Sequence, residues 1–151
     1  MKNFRISSVF KTILLICVFG LFIRKANSCS NSNTMSDAEF RQEMIELATE
    51  TNNQCPMDMD GVGTLSSVEL KGNTFEATIN IINDYFDYVD VNELKINTIK
   101  SMRSETSMEE FSYFANLFQE YGYSYNFNFY NSNGELIEVM TITGNDLLNQ
   151  L

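Results

Sequence analysis

The sequence predicts an α+β domain: an antiparallel sheet of two hairpins packed on two or three helices, in the order α-β-β-α(α)-β-β-α. Three observations carry this. Two segments alternate apolar and polar residues around short turns rich in Gly and Asn. The segments before and between them repeat apolar residues at helical spacing behind capping signals. The closing stretch carries turn and cap residues that suit a short terminal helix. Helices gathered on one side of hairpin-linked strands form an α+β layer structure.

The elements follow in chain order. Ser36 to Asn53, "SDAEFRQEMIELATETNN", is the first helix: Ser36 caps it, and Glu39 three residues on completes a capping box. Phe40, Met44, Leu47 and Ala48 form its apolar stripe, with Glu43, Glu46 and Glu50 on the other side. Pro56 lies just beyond its end. In Thr74–Ile82, Phe75, Ala77, Ile79 and Ile81 alternate with Glu76, Thr78 and Asn80, the pattern of a strand buried on one face. Leu65 to Lys71, with Val68 and Leu70, supplies its partner, and Gly72-Asn73 suits the tight turn between them. Asn83 to Asp90 is a polar and aromatic connection. Asp90 with Glu93 then opens a helix over Val91–Arg103, which carries Leu94, Ile96, Ile99 and Met102. Ser107 with Glu110 caps a third helix bearing Phe111, Phe114, Ala115 and Phe118, and Gly122 ends it. One bent helix from Val91 to Tyr121 fits the same residues. "YSYNFNFY", Tyr123 to Tyr130, puts Tyr123, Tyr125, Phe127 and Phe129 on one strand face. Asn131 to Gly134 turns the chain, Leu136 to Ile142 returns antiparallel, and Asn145 or Asp146 starts a short helix to Leu151.

The first 28 residues read as a signal peptide. Lys2, Arg5 and Lys11 precede the apolar run Thr12 to Ile23, which is short against the roughly 20 residues a membrane-spanning helix needs. A retained signal anchor is the alternative. Ala26-Asn27-Ser28 suits cleavage before Cys29, and Cys29 equally suits the lipidated cysteine of a lipoprotein. Ser30 to Ser36 then serves as a flexible mature N-terminus or as a lipoprotein tether, and residues 37–151 form the single domain. The expected location is the periplasm, the outer membrane as a lipoprotein, or the extracellular space. Cys29 and Cys55 can pair in such an oxidising compartment; a lipidated Cys29 leaves Cys55 a lone thiol.

From Cys29 onward five basic residues face 20 acidic ones, a net charge of −15. Nucleic acid and anionic membrane surfaces are therefore poor partners, so membrane contact is expected only through a lipid or signal anchor. Cations and basic proteins are favoured. The chain has no histidine and no tryptophan, which removes Ser-His-Asp and Cys-His nucleophile pairs and most zinc sites.

"MDMDGVGTLSSVEL", Met57 to Leu70, resembles a calcium loop. Counting from Asp58, Asp60 falls at position 3, Gly63 at 6, Thr64 at 7, Ser66 at 9 and Glu69 at 12. Position 5 is Val62, which has no side-chain oxygen. Pro56 stands where the entering helix should run, and the exiting segment alternates like a strand. A turn into the first strand is the favoured reading; a calcium module using Asp58, Asp60, Thr64 and Glu69 is the alternative. Asp84, Asp87 and Asp90 form a second acidic cluster, read as a solvated loop. Tyr125, Phe127, Phe129 and Phe75 are read as core rather than a ligand groove.

Asn52 or Asn53, Cys55-Pro56, an acidic turn at Asp58 or Asp60, Leu65-x-x-Val68 and an alternating strand together resemble a small exported domain common in Bacteroidetes. The second half, "YGYSYNFNFYNSNGELIEVMTITGNDL", adds the aromatic strand, the turn with Gly134 and the returning strand. The likeness spans most of residues 37–148, and Gly61-Val62-Gly63 departs from its polar turn. It implies the fold and export, and no activity. The expected function is an exported, non-enzymatic binding or structural domain of the bacterial cell envelope, with an envelope component or protein as partner and no cofactor. A calcium-binding module and a carboxylate-dependent hydrolase are the alternatives.

Overall fold

In the computed structural model, which describes residues 35–59, 61–82 and 90–150, the chain opens with helix α1 (Asp37–Asn53). It continues through β1 (Met57–Asp58), β2 (Gly63–Lys71), β3 (Thr74–Ile81), α2 (Val91–Ser104), α3 (Met108–Glu120), β4 (Ser124–Tyr130), β5 (Leu136–Thr143) and α4 (Gly144–Leu148). The expected α+β class is met, and the element order holds with one addition, the short strand β1 where a turn was expected. Among the described residues no helix is long and apolar enough to cross a membrane. The expected signal segment lies outside the described residues, as do residues 83–89 and their acidic cluster apart from Asp90.

The helix starts are set by side chains that satisfy the free N–H groups of a first turn. Ser36 and Glu39 form a reciprocal capping box at α1, and Ser107 and Glu110 form one at α3. Asp90 accepts from the N–H groups of Asn92 and Glu93 at α2. Two helices, not one bent one, fill 91–120: α2 stops at Ser104 and the box at Ser107 starts α3 anew. Gly122, at φ +68°, ends α3 in a Schellman turn, with Tyr123 N–H donating to Phe118 O at 2.9 Å and Gly122 N–H to Gln119 O at 3.2 Å.

The five strands stand in the order β1-β2-β3-β4-β5. Each hairpin is antiparallel, Lys71 facing Thr74 across the Gly72-Asn73 turn and Phe127 facing Met140 in the second. The hairpins meet through a parallel β3–β4 pair, from Thr74 beside Ser124 to Asn80 beside Tyr130. Two crossover helices return the chain to the same end of the sheet, so β4 starts alongside the start of β3. In β2 the register shifts between Leu65 and Ser67. This bulge lets Leu65 and Val68, three residues apart, both face the core.

The expected aromatic strand face is core. Phe75, Tyr125, Phe127 and Phe129 are all buried, and Tyr125 stacks on Phe75 at 4.8 Å and on Phe118 of α3 at 4.9 Å. Each such buried ring stabilises the fold by roughly 1.5–3 kcal/mol. Two expectations about helix faces fail. Glu43 is buried, because it shares the 40/44/47/48 side of α1, and Ile96 is exposed, because the buried stripe of α2 runs Leu94, Thr98, Ile99 and Met102.

Candidate functional site

The residues of the calcium-like loop take up sheet positions. Asp58 lies directly opposite Thr64 in the β1–β2 ladder. Glu69 stands five residues further along β2, about 17 Å away at the rise of a strand. It faces Glu76 of β3, and its carboxylate pairs with Lys71 at 3.1 Å. The segment leaving the loop is thus a strand, and Asp58, Thr64 and Glu69 are not brought together. Asp60 lies outside the described residues. Gly63 owes its place to packing: a Cβ there would lie 2.3 Å from Asn80 O. Among the described residues no three carboxylate or cysteine side chains gather as a metal site would need. Cys29 lies outside the described residues. Cys55 is half-buried, its thiol donates to Thr51 O at 3.5 Å, and burial pushes its pKa up, which favours the unreactive protonated form.

The motif residues around Cys55 have a structural task. Asn52 Oδ1 accepts the N–H of Val68 at 3.1 Å, which stitches the end of α1 to β2 just past its bulge. The Asn, the Leu-x-x-Val pair and the turn between them form one joint.

The sheet face away from the helices is polar. Glu76 accepts from Asn126 Nδ2 at 3.0 Å and from Asn128 Nδ2 at 2.6 Å, and Asn126 Oδ1 accepts from Thr141 at 2.8 Å. The groups bond one another across β3, β4 and β5, so they present a finished network rather than a set of waiting donors. The carboxyls of Glu39 and Asp146 both lie below the usual range. Ser36's backbone and side-chain hydrogen bonds lower Glu39; at Asp146 burial pulls upward and is outweighed by Lys95, 2.8 Å away, and Thr143. A general acid needs the opposite shift.

The outer edge of the sheet is different. β5 is an end strand, and Met140 and Ile142 face the core, with α2 and α4 against the strand. Its first half stands clear: Leu136 is 53% exposed, Ile137 43% and Val139 37%. Val139 faces Asn128 and Leu136 faces Tyr130 in the ladder, so both share the polar face, and the register shift between them leaves Ile137 as the extra residue of a bulge. Between them Glu138 folds back, its Oε1 accepting the Val139 N–H at 2.9 Å. Glu135 is held by Asn131 Nδ2 at 2.8 Å. The sequence reading assigned this stretch no role. Its signal was the adjacent pair Leu136-Ile137, which interrupts the strand's alternation where the register shifts.

No family model matches the chain, and no curated protein matches it in sequence. Among solved structures the chain is similar to the pilotin EpsS of the Vibrio vulnificus type 2 secretion system, with a TM-score of 0.53 and 16% identity over 74% of this chain and 94% of that one. It is also similar to the type II secretion system pilotin AspS of Vibrio cholerae, with a TM-score of 0.46 and 17% identity over 68% and 86% of the two chains. At this identity the likeness to EpsS is one of fold.

Proposed function

We propose that the chain is an exported, non-enzymatic docking domain of the bacterial cell envelope that binds a protein partner along the free half of β5. The observation that carries this is the exposed apolar group Leu136, Ile137 and Val139 on an end strand of the sheet. A bare apolar edge is a liability in a protein that works alone, and a binding surface in one that does not. The signal-like N-terminus supports export, and a fold shared with EpsS, itself a component of a secretion system, supports an envelope role. The lack of histidine and the internally bonded polar face support binding rather than catalysis.

The test is photo-cross-linking in cells. A photo-reactive residue in place of Ile137 is expected to give a covalent adduct with another envelope protein. The same residue in place of Asn116, exposed on the outer side of α3, is expected to give none. Equal labelling from both positions, or none from either, overturns the reading.

A further inference from the structure

We infer that the partner adds an extended segment to β5 as a sixth strand, along Leu136 to Val139, and that a lysine or arginine of that segment draws Glu138 off the Val139 N–H. This rests on the docking reading above and specifies its chemistry.

The argument starts at the edge. Ladder groups of an end strand point alternately inward, to its neighbour, and outward, to solvent. The Val139 N–H meets a carboxylate of its own strand, 2.9 Å away, so it is one of the outward donors. Glu138 thus caps the edge at the centre of the exposed apolar group. An inward-folded charge on an edge strand blocks unselective strand pairing. It yields to a segment that offers both a backbone carbonyl for the N–H and a cation for the carboxylate.

The side chains define the rest of the partner. Leu136 and Val139 lie on the polar face of the edge, three residues apart, because Ile137 between them is the extra residue of a bulge. A regular segment with apolar residues at alternate positions, laid across the bulge, covers Leu136 and Val139. The hairpin from Ser124 to Thr143 holds Glu135 and Glu138 and no basic residue, in a chain of net charge −15 from Cys29 onward. Charge complementarity selects a basic segment. The same charge argues against a second copy, which would bring another Glu138 and another acidic surface to the same edge.

The experiment maps the adducts residue by residue. Photo-reactive residues at Leu136 and at Val139 of the full chain are cross-linked in cells, and the attachment points on the partner are read by mass spectrometry. Strand addition predicts attachment points two residues apart, with a Lys or Arg adjacent. It also predicts that Glu138→Gln lowers adduct yield by roughly two- to fivefold, the scale of one surface charge pair. Attachment points three or four apart overturn strand addition in favour of a docked helix and leave the docking reading standing. An adduct between two copies of this chain overturns the basic partner. Absence of any adduct at either position overturns both readings.

Discussion

Single atoms decide much at Gly63, Gly144 and Asp146. A Cβ on Gly63 would sit 2.3 Å from Asn80 O, and one on Gly144 would sit 2.4 Å from Gln119 Cα, so in both cases the obstacle is backbone that cannot swing aside. Gly63→Ala should therefore destabilise the fold by about 1–3 kcal/mol, the usual scale of overpacking, in a denaturant titration. Gly61→Ala should act through a different cause, because Gly61 has open space but φ +76°. Neither close approach was visible in the sequence, since the contact comes from a strand or helix distant in the chain. Asp146 makes a pH prediction. Its folded pKa is held below the ordinary Asp value, so its ion pair with Lys95 and its bonds to Thr143 stabilise the protein above the ordinary range near pH 4. That stability is lost as pH falls through the depressed folded value. Asp146→Asn should flatten the acid side of the stability curve and leave a smaller change between neutral pH and pH 3.

At the level of elements, local signals were read well where they are local in cause. The boxes at Ser36 and Ser107 need only four consecutive residues, and both formed. Ser107→Ala should cost about 1 kcal/mol in thermal or denaturant unfolding, with helicity lost first in α3. The third box, Thr143 with Asp146, was missed because Asp stands where Glu or Gln is usual, and the helix starts a residue earlier than expected. The bulge in β2 was also illegible. Alternation marks a strand, whereas a bulge appears only when the partner strand shows which residues stay paired. Glu43 and Ile96 show the remaining limit. Their positions relative to the helical stripes are legible in the sequence, and geometry overrides polarity at Glu43 and apolarity at Ile96. The exposed half of β5 belongs here too: the pattern revealed a strand, and only the sheet order revealed that it has no outer neighbour among the described residues.

At the scale of the molecule, the sequence supplied both hairpins but not the parallel contact between them, since a two-helix connection permits either direction. The same scale bears on Cys29 and Cys55, for which pairing and a lipidated Cys29 with a lone Cys55 are both open in the sequence. Met35 is clamped at the start of α1: its N–H donates to Tyr113 Oη at 3.2 Å, and its carbonyl accepts from Tyr121 Oη at 2.7 Å. Cys55 lies beyond the other end of that helix, about 28 Å from Ser36 at 1.5 Å per wound residue. Cys29 stands six residues before Met35, a span of at most about 20 Å fully extended, and a disulfide adds roughly 7 Å between Cα atoms. Pairing would thus demand a straightened segment laid along the whole of α1, or release of the clamp. The expected outcome is a Cys55 that stays reduced in protein from native envelopes and is alkylated slowly at pH 8, because burial raises its pKa. Intact mass after alkylation without reductant measures this directly. Replacing Tyr113 and Tyr121 together by Phe frees Met35 and should raise the fraction of Cys29–Cys55 bridge in any chain whose Cys29 carries no lipid. A bridge already complete in the unaltered protein would show that the two tyrosines do not hold Met35, whereas a chain that remains reduced until they are removed establishes the clamp as what fixes the chain at the start of α1.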